Sequence, residues 1–524
     1  MGEYLAMTRL GGVRHRVQMH CITFVALLVP LVLFYILNDR IMKSGLGYDE
    51  QLFAWGGWSI TQGLRPYVDF LEFKPPMIFI SYALALWTFG ERNTDFRIFF
   101  SIFAAISTLA LHASLLSRRM NRAVSTALVS ALVFAWVNPS FHDNALGDAE
   151  SIGLSFYFLG VAALLANTSK YRGYFQAIGG FLLACAVFSK EPFAGAVVGT
   201  WLSLFFLVYG TANFRKNAFR YFMFTGIGVA ALLLALSAYM IPTGSMAAYV
   251  RMIEGYARLY RNPETSICVV FGRWTPSTPF QELKAQAKYI HEQFFNAATI
   301  GYLTPFFLAS VIFIWRQSRV LFAAALATAL LALYSVTATN CQWPHYYNMA
   351  LSGMFLFFIV GADRMSAELV QSNSVVRRGV GALLVAVIAM FSFPRIRSEL
   401  HSWPYQFQPQ RVPLPGILEF VAENSAPGDK ILTTGPPLIY MYTHRQGAVR
   451  EIILDEFLIL YPGNTDVERV SGLREQLVRN RPKIVIMDPV FEDRKVRHMD
   501  ALFVPFFRDF GYKKAGEYYY VRPN

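Results

Sequence analysis

The sequence has 524 residues, of which 55% are hydrophobic and only 15% are charged, and its mean hydropathy is +0.36. So little polar surface excludes a soluble globular protein of this length and indicates a polytopic membrane protein. The net charge of +13 does not indicate nucleic-acid binding, because the Lys and Arg residues are dispersed in short loops and form no single basic face.

The chain begins with a basic segment that is followed by an apolar run from Cys21 to Asn38. No small-residue cleavage site follows this run, so we interpret it as an uncleaved first span with the N-terminus inside. Further apolar segments are long enough to cross a membrane, which predicts about eleven spans in all. They run from about Ile98 to Leu116, Ala123 to Asn138, Ser151 to Asn167, Tyr174 to Ser189, Pro192 to Tyr209, Tyr221 to Ile241, Thr299 to Trp315, Val320 to Thr339, Tyr346 to Gly361 and Gly379 to Phe393.

The apolar segment from Pro75 to Gly90 is too short for a typical span, at roughly 24 Å of helix against a hydrocarbon core of about 30 Å. If it does not cross, the outer loops around Asp148 and Gln342 hold no Lys or Arg. The inner loops then hold Arg118, Arg119, Arg122, Lys170, Arg172, Arg215, Lys216, Arg220, Arg316, Arg319, Arg364, Arg377 and Arg378. We therefore expect this segment to lie along the outer face or to re-enter, with its start set by two prolines.

In this topology two outer loops are long. The first runs from Asp39 to Arg97 and is expected to contain two interfacial helices. The second runs from Pro242 to Ala298 and mixes tyrosines with arginines, which favours an amphipathic segment at lipid headgroups over a substrate site.

The composition changes after the last predicted span. Residues 1–393 form the predicted transmembrane domain, residues 394–415 a proline-rich linker, and residues 416–524 a small α/β domain outside the membrane. Within that domain the patterns predict helices at Ile417 to Glu423, Leu438 to His444, Val467 to Arg479 and Met499 to Phe510, and strands at Lys430 to Thr434, Lys483 to Met487 and Glu517 to Val521.

The predicted topology brings ionisable residues at the ends of the spans to one face of the membrane. They are Asp49, Glu50, Glu72 and Lys74 in the first outer loop, Asp148 and Glu150 in the second, Lys190 and Glu191 in the third, and His345 and Tyr346 in the fifth. The spans themselves contain no Asp, Glu, Lys or Arg, which argues against an ion-coupled transporter, because such proteins place ionisable residues near the bilayer midplane.

Carboxylates beside cations on the outer face suit the transfer of a group from a lipid-linked phosphate to an acceptor hydroxyl. A carboxylate takes the acceptor proton, and cations stabilise the charge that develops on the departing phosphate. Asp49 is the better candidate for the base, because it lies at the start of an interfacial helix. The adjacent Glu50 is predicted to be catalytic as well, because its charge would raise the proton affinity of Asp49. Taken singly, Asp49 could equally be a helix N-cap, and Lys74 and Lys190 could be boundary lysines, so their joint placement is what favours a site.

At these residues the sequence resembles the GT-C superfamily of polyprenyl-phosphate-sugar glycosyltransferases, in particular the branch of the lipid A aminoarabinose transferase and the protein O-mannosyltransferases. The resemblance covers nearly the whole chain, including the α/β tail. It rests on Asp49-Glu50 after the first span, Gly63 through Pro66-Tyr67 with Asp69-Phe70, Lys74-Pro75-Pro76, Phe188-Ser189-Lys190, and His345-Tyr346-Tyr347.

The resemblance implies roles for particular residues. Asp49 falls where the family has its catalytic aspartate, and Lys74, Lys190, His345 and Tyr346 fall where the family binds the donor phosphate. The second-loop acid matches either Asp148 or Glu150, with Glu150 favoured because it immediately precedes the fourth span. In the aminoarabinose transferase pattern a glutamate directly precedes the lysine, whereas here that position is Phe73 and the acid is Glu72.

The resemblance also implies the fold and the reaction. We expect a GT-C-like membrane domain and an inverting glycosyltransferase that moves a sugar from a polyprenyl-phosphate carrier to a lipid, glycan or protein acceptor on the outer side of the cytoplasmic membrane. No cofactor or metal is expected, although oligosaccharyltransferase relatives use a divalent ion. The alternatives are a metal-dependent oligosaccharide transferase and a non-enzymatic lipid or glycolipid transporter.

Overall fold

The computed structural model describes residues 46–118, 120, 122–136, 147–166, 171–209, 213–261, 288, 304–337, 347–371, 415–435, 437–450, 466–487, 497–516 and 519–523. The first predicted span, the last predicted span, and the candidate site residues His345 and Tyr346 lie outside the described residues.

Two short helices form the first described part of the chain, α1 (Tyr48–Thr61) and α2 (Pro76–Phe89). Helix α2 begins with a proline because the fixed backbone angle and missing N–H of proline suit the first turn of a helix. The two helices approach closely at Gly57, where a Cβ atom would lie 2.7 Å from the backbone nitrogen of Ala83. This contact buries an aromatic layer between them, in which the rings of Phe53 and Tyr82 lie 6.0 Å apart.

The next helices form an apolar bundle. They are α3 (Asn93–Ser117), α4 (Arg122–Trp136), α5 (Ala149–Leu165), α6 (Arg172–Val187), α7 (Phe193–Tyr209), α8 (Phe214–Met240), α9 (Ser245–Arg261), α10 (Thr304–Gln317), α11 (Arg319–Thr337) and α12 (Tyr347–Gln371). The predicted apolar segments within the described residues coincide with α3 to α8 and α10 to α12. Among the described helices, three are long and apolar enough to cross a membrane: α3, α8 and, within α11, Arg319–Val336.

Small residues let the bundle helices pack closely. A Cβ atom at Gly180 of α6 would lie 2.1 Å from the carbonyl oxygen of Thr225 on α8, so only glycine fits there. A buried hydrogen bond from the Tyr157 hydroxyl of α5 to the Ser352 carbonyl of α12 measures 2.7 Å.

The C-terminal residues form a five-stranded mixed sheet with helices. The strands are β1 (Lys430–Thr433), β2 (Gln446–Gly447), β3 (Ile484–Ile486), β4 (Lys513–Lys514) and β5 (Tyr519–Val521), in the order β2-β1-β3-β5-β4. Strand β1 pairs in parallel with β2 and β3, whereas β5 pairs antiparallel with β3 and β4. The helices are α13 (Pro415–Asn424), α14 (Leu438–Thr443), α15 (Asp466–Asn480) and α16 (Arg497–Asp509). Each predicted element of this region is present, and β2 and β4 are additional short strands.

The C-terminal region packs directly on α1. The Trp55 ring lies 5.8 Å from that of Tyr440, on α14, and the Trp58 ring lies 6.3 Å from that of His444. The backbone N–H of Leu71 donates to the carbonyl of Arg450 at 2.8 Å. The hydrophobic core is therefore continuous from the first helices into the α/β region.

Candidate functional site

Asp49 lies in the first turn of α1, and its side chain is half-buried. The helix begins after Gly47, so Asp49 is not the N-cap residue. Among the described residues its carboxylate has no hydrogen-bonding or ion-pairing partner, although its charge acts on Glu72 and Asp148. A carboxylate in this state is available to accept a proton from a ligand.

Glu50, the next residue, is buried and joins three segments of the chain. It is 1% exposed, forms an ion pair with Arg97 of α3 at 2.5 Å, and accepts hydrogen bonds from the backbone N–H groups of Gly47 at 2.7 Å and Gly147 at 3.2 Å. Burial raises the pKa of Glu50, and Arg97 together with the two N–H groups opposes this shift. The structure thus places Glu50 between α1, α3 and the turn before α5, where it holds these segments together.

Gly147 brings the second outer-loop acids to α1. Its carbonyl accepts a hydrogen bond from the Tyr82 hydroxyl at 3.1 Å. A Cβ atom at this position would lie 2.3 Å from the Tyr82 hydroxyl oxygen and 2.6 Å from Glu50 Oε1. A larger residue here would have to displace the end of one of these two buried side chains. The next residue, Asp148, lies close enough for the charge of Glu50 to raise its pKa.

The two second-loop acids face different partners. Glu150 lies in the first turn of α5, and its Oε1 atom is 2.9 Å from the Lys190 Nζ atom, with the two side chains only 3% and 7% exposed. Burial raises the pKa of Asp148 well above its ordinary range, and the charges of Glu50 and Glu150 raise it further. Both candidates therefore belong to the site, Glu150 on the Lys190 side and Asp148 on the Glu50 side.

Lys74 lies beside another acid of the same group of residues, Glu72. Its Nζ atom is 3.8 Å from Glu72 Oε1 and 5.8 Å from the centroid of the Phe53 ring, and its side chain is 17% exposed. Burial raises the pKa of Glu72, and the charge of Lys74 opposes this shift. Glu72 therefore lies at the site although it stands one residue away from the family pattern.

A strained tyrosine supports the Lys74 backbone. Tyr67 is 1% exposed, and its hydroxyl donates to the Lys74 carbonyl at 2.8 Å. Its backbone angle φ is +64°, a conformation that is uncommon and costs free energy for a residue other than glycine. Its ring packs on that of Tyr249 in α9, 4.8 Å away.

A backbone hydrogen bond connects the Lys74 and Lys190 segments. The Met77 N–H donates to the Phe188 carbonyl at 3.0 Å, so the start of α2 lies against the turn that carries Lys190 and Glu191. Residue Glu191 is exposed, yet desolvation by the surrounding protein raises the pKa of its carboxyl. The charges of Lys190 and Lys74 oppose this shift.

We refer to these residues as the charged cluster. It contains six carboxyl groups and three cations: Asp49, Glu50, Glu72, Asp148, Glu150, Glu191, Lys74, Arg97 and Lys190. Each cation pairs with one buried acid, Lys74 with Glu72, Arg97 with Glu50 and Lys190 with Glu150. Across the described parts of the chain, no three His, Cys, Asp or Glu side chains are arranged to hold a metal ion. The cluster offers a carboxylate that can accept a proton and two lysines that can bind an anion.

Sequence reasoning did not identify the role of every residue at the site. The sequence placed Arg97 only at the end of the first outer loop. A charged residue at such a position gives no sign of which acid it pairs with. Tyr67 contributes to the family pattern but gives no sign of its left-handed backbone. Glu191 was noted among the outer charges without a role.

Neither a family model nor a curated protein sequence matches the chain. Solved structures do match. ArnT from Cupriavidus metallidurans in the apo state has a TM-score of 0.52 at 12% identity, over 95% of this chain and 97% of that protein. The same protein bound to undecaprenyl phosphate has a TM-score of 0.53 at 12% identity, over 95% and 98% of the two chains.

The oligosaccharyltransferase of Archaeoglobus fulgidus in the apo form is also similar, with a TM-score of 0.51 at 12% identity over 96% of this chain and 74% of that protein. Both neighbours belong to the GT-C superfamily. At this level of identity the likeness concerns the fold. The chain therefore has the GT-C fold, and the resemblance seen in its sequence is confirmed at that level.

Proposed function

We propose that this protein is an inverting glycosyltransferase that moves a sugar from a polyprenyl-phosphate carrier to an acceptor hydroxyl. The observation that carries the proposal is the Asp49 carboxylate, which has no bonded partner among the described residues and lies in one cluster with Lys74 and Lys190. The GT-C fold supports the same reaction class, and a neighbour that binds undecaprenyl phosphate supports a lipid-phosphate donor.

Asp49 acts as the general base in this proposal. The acceptor oxygen attacks the anomeric carbon of the sugar while its proton passes to the Asp49 carboxylate. The bond between the anomeric carbon and the phosphate oxygen breaks, and its electron pair stays on the phosphate. A single displacement from the opposite face inverts the configuration at the anomeric carbon.

Lys74 and Lys190 bind the departing phosphate and stabilise its charge. Each lysine lies beside a buried acid: Lys190 Nζ is 2.9 Å from Glu150 Oε1, and Lys74 Nζ is 3.8 Å from Glu72 Oε1. An ammonium group has three donors, so each lysine can keep its acid and still bind a phosphate oxygen.

The reaction needs no divalent metal in this proposal. Lys74, Arg97 and Lys190 each neutralise one buried carboxylate of the charged cluster, so these acids are engaged with cations of the protein itself. The two lysines supply the positive charge that a metal ion supplies in other phosphate sites.

The placement of the site follows from the predicted topology. We propose that the charged cluster lies on the outer face of the cytoplasmic membrane, with the N-terminus inside and the C-terminal α/β domain outside. The donor then reaches the site from the outer leaflet. A lipid, a glycan or a protein on that side supplies the acceptor hydroxyl.

The direct test is to incubate the purified protein in detergent with a polyprenyl-phosphate sugar that carries a label in the sugar. The proposal predicts transfer of label to an added acceptor, or slow release of the sugar to water when no acceptor is present. Donor that stays intact through many protein equivalents would contradict it. Movement of intact donor between the leaflets of reconstituted vesicles would instead support the transporter.

A further inference from the structure

The C-terminal α/β region contains a cleft far along the chain from the charged cluster. Its volume is about 420 Å³, and it is lined by Asp429, Arg481, Lys483, Phe510, Arg522 and Pro523. Asp429 and Lys483 directly precede the parallel strands β1 and β3, while Arg522 follows the antiparallel strand β5. The sheet topology therefore gathers these side chains at one end of the sheet, where the Arg522 N–H donates to the Lys483 carbonyl at 3.0 Å.

The cleft is positively charged. It has three cations and one acid, and the Asp429 carboxylate already accepts a hydrogen bond from the Ala426 N–H at 2.8 Å within its own turn. The half-buried Arg522 guanidinium has no hydrogen-bonding or ion-pairing partner among the described residues. Its donors therefore remain available to an anion.

Arg481 reaches the cleft through an unfavourable backbone conformation. It directly follows α15 with a φ of +41°, and its N–H closes the helix on the Leu477 carbonyl at 2.7 Å. Glycine is the usual residue at such a position, because any other side chain is strained there. The guanidinium carbon of Arg481 lies 5.5 Å from the centroid of the Phe510 ring, which holds the cation at the cleft.

We propose that this cleft binds a phosphate group carried by a ligand of headgroup or monosaccharide size. The planar guanidinium groups of Arg481 and Arg522 match the oxygens of a phosphate, and Lys483 adds a third positive charge. Phe510 and Pro523 provide an apolar wall for the remainder of the ligand, and the volume falls in the range of small-molecule sites. This site is separate from the charged cluster and does not depend on the proposed transfer reaction.

Arg481→Gly is the most informative variant, because it removes the cation and relieves the backbone. We expect its melting temperature to equal or exceed that of the wild type. A loss of binding in this variant would therefore not result from a loss of folding. Arg522→Gln tests the second guanidinium. Lys514→Gln, on the exposed strand β4 outside the cleft, is the matched control for a general loss of positive charge.

The experiment uses the full chain in detergent and two probes. Calorimetric titration with inorganic phosphate should show saturable binding that Arg481→Gly and Arg522→Gln each weaken by about tenfold or more, while Lys514→Gln changes it little. Native mass spectrometry with phosphatidylglycerol tests a lipid source. Lipid retention that is lost in Arg481→Gly identifies a lipid headgroup, and phosphate binding without lipid retention identifies a soluble phosphate ester.

Three results would overturn the proposal. The first is a wild-type protein that binds neither probe. The second is wild-type affinity in both arginine variants. The third is a loss in Lys514→Gln as large as that in Arg481→Gly, which would show that diffuse charge and not the cleft attracts the probe.

Discussion

The pair formed by Lys190 and Glu150 allows folding and donor binding to be tested separately. Their charged atoms lie 2.9 Å apart, and the side chains are 7% and 3% exposed. Lys190→Met leaves the Glu150 carboxylate buried without this cation, which costs about 3–5 kcal/mol of the free energy of unfolding. Adding Glu150→Leu removes the second charge and keeps a similar volume, so the double variant should return close to the wild-type stability.

Donor affinity should behave differently. A charge-assisted hydrogen bond to phosphate is worth about 1.5–3 kcal/mol, so both Lys190→Met and the double variant should bind the donor about 10- to 150-fold more weakly. Glu150→Gln keeps Lys190 and should retain donor affinity, which separates the lysine from its partner. The measurements are unfolding in detergent, followed by fluorescence or circular dichroism, and direct binding of a labelled polyprenyl-phosphate sugar.

One outcome would refute this reasoning. If the double variant recovers both the stability and the donor affinity of the wild type, Lys190 serves only to neutralise Glu150 and does not bind the donor.

Three further predictions concern the frame of the site, its pH dependence and its independence of metal. Gly147→Ala should cost about 1–3 kcal/mol of stability and most of the activity, because the added Cβ would overlap the Tyr82 hydroxyl and Glu50. The control is Gly226→Ala, where a Cβ meets nothing within 4 Å. This variant should be neutral or stabilising in a thermal melt. Because the pKa of Asp148 is raised in the folded state, the folded protein keeps this proton at pH values where the unfolded protein has lost it. The contribution of Asp148 to stability should therefore be full below its ordinary pKa of 3.8. It should fall as the pH rises toward the pKa of the folded state. Asp148→Asn should therefore flatten the decline of melting temperature as the pH rises above 3.8. An unchanged slope would show that this carboxyl does not titrate as the structure indicates. Treatment with a chelator should leave donor turnover unchanged, and a loss that Mg²⁺ or Mn²⁺ restores would favour the metal-dependent oligosaccharide transferase.

The sequence predicted those parts of the fold that depend on local patterns. Apolar length located the helices from α3 to α12, apart from α9, although α8 begins seven residues before the predicted start and α12 ends ten residues after the predicted end. The short apolar segment from Pro75 to Gly90 corresponds to α2. The longer tail strands β1, β3 and β5 showed runs of apolar residues. Strands β2 and β4 were missed because each has only two residues, which is too short for any alternation of side chains to be seen.

The arrangement of the site depended on contacts between distant parts of the chain. The predicted topology identified which charged residues lie on the outer face. It could not predict that Glu50 pairs with Arg97, which lies 47 residues away in the chain. Glu50 was predicted to act beside Asp49 through its charge, and this role stays a prediction. Nothing in the sequence indicated that Arg97 and two backbone N–H groups would surround its carboxylate. The packing of α14 on Trp55 was also beyond reach, because most of the chain separates these two segments in sequence.

The assignment of Asp49 as the base is the central claim, and Asp49→Asn tests it most directly. Asparagine keeps the size and shape of the side chain, and α1 is capped by Gly47 and Glu50, so the helix should be unaffected. In a single-turnover reaction with saturating donor and acceptor, the account predicts a transfer rate about 10²- to 10⁴-fold below that of the wild type, with unchanged donor affinity. A transfer rate within a few-fold of the wild type would contradict it.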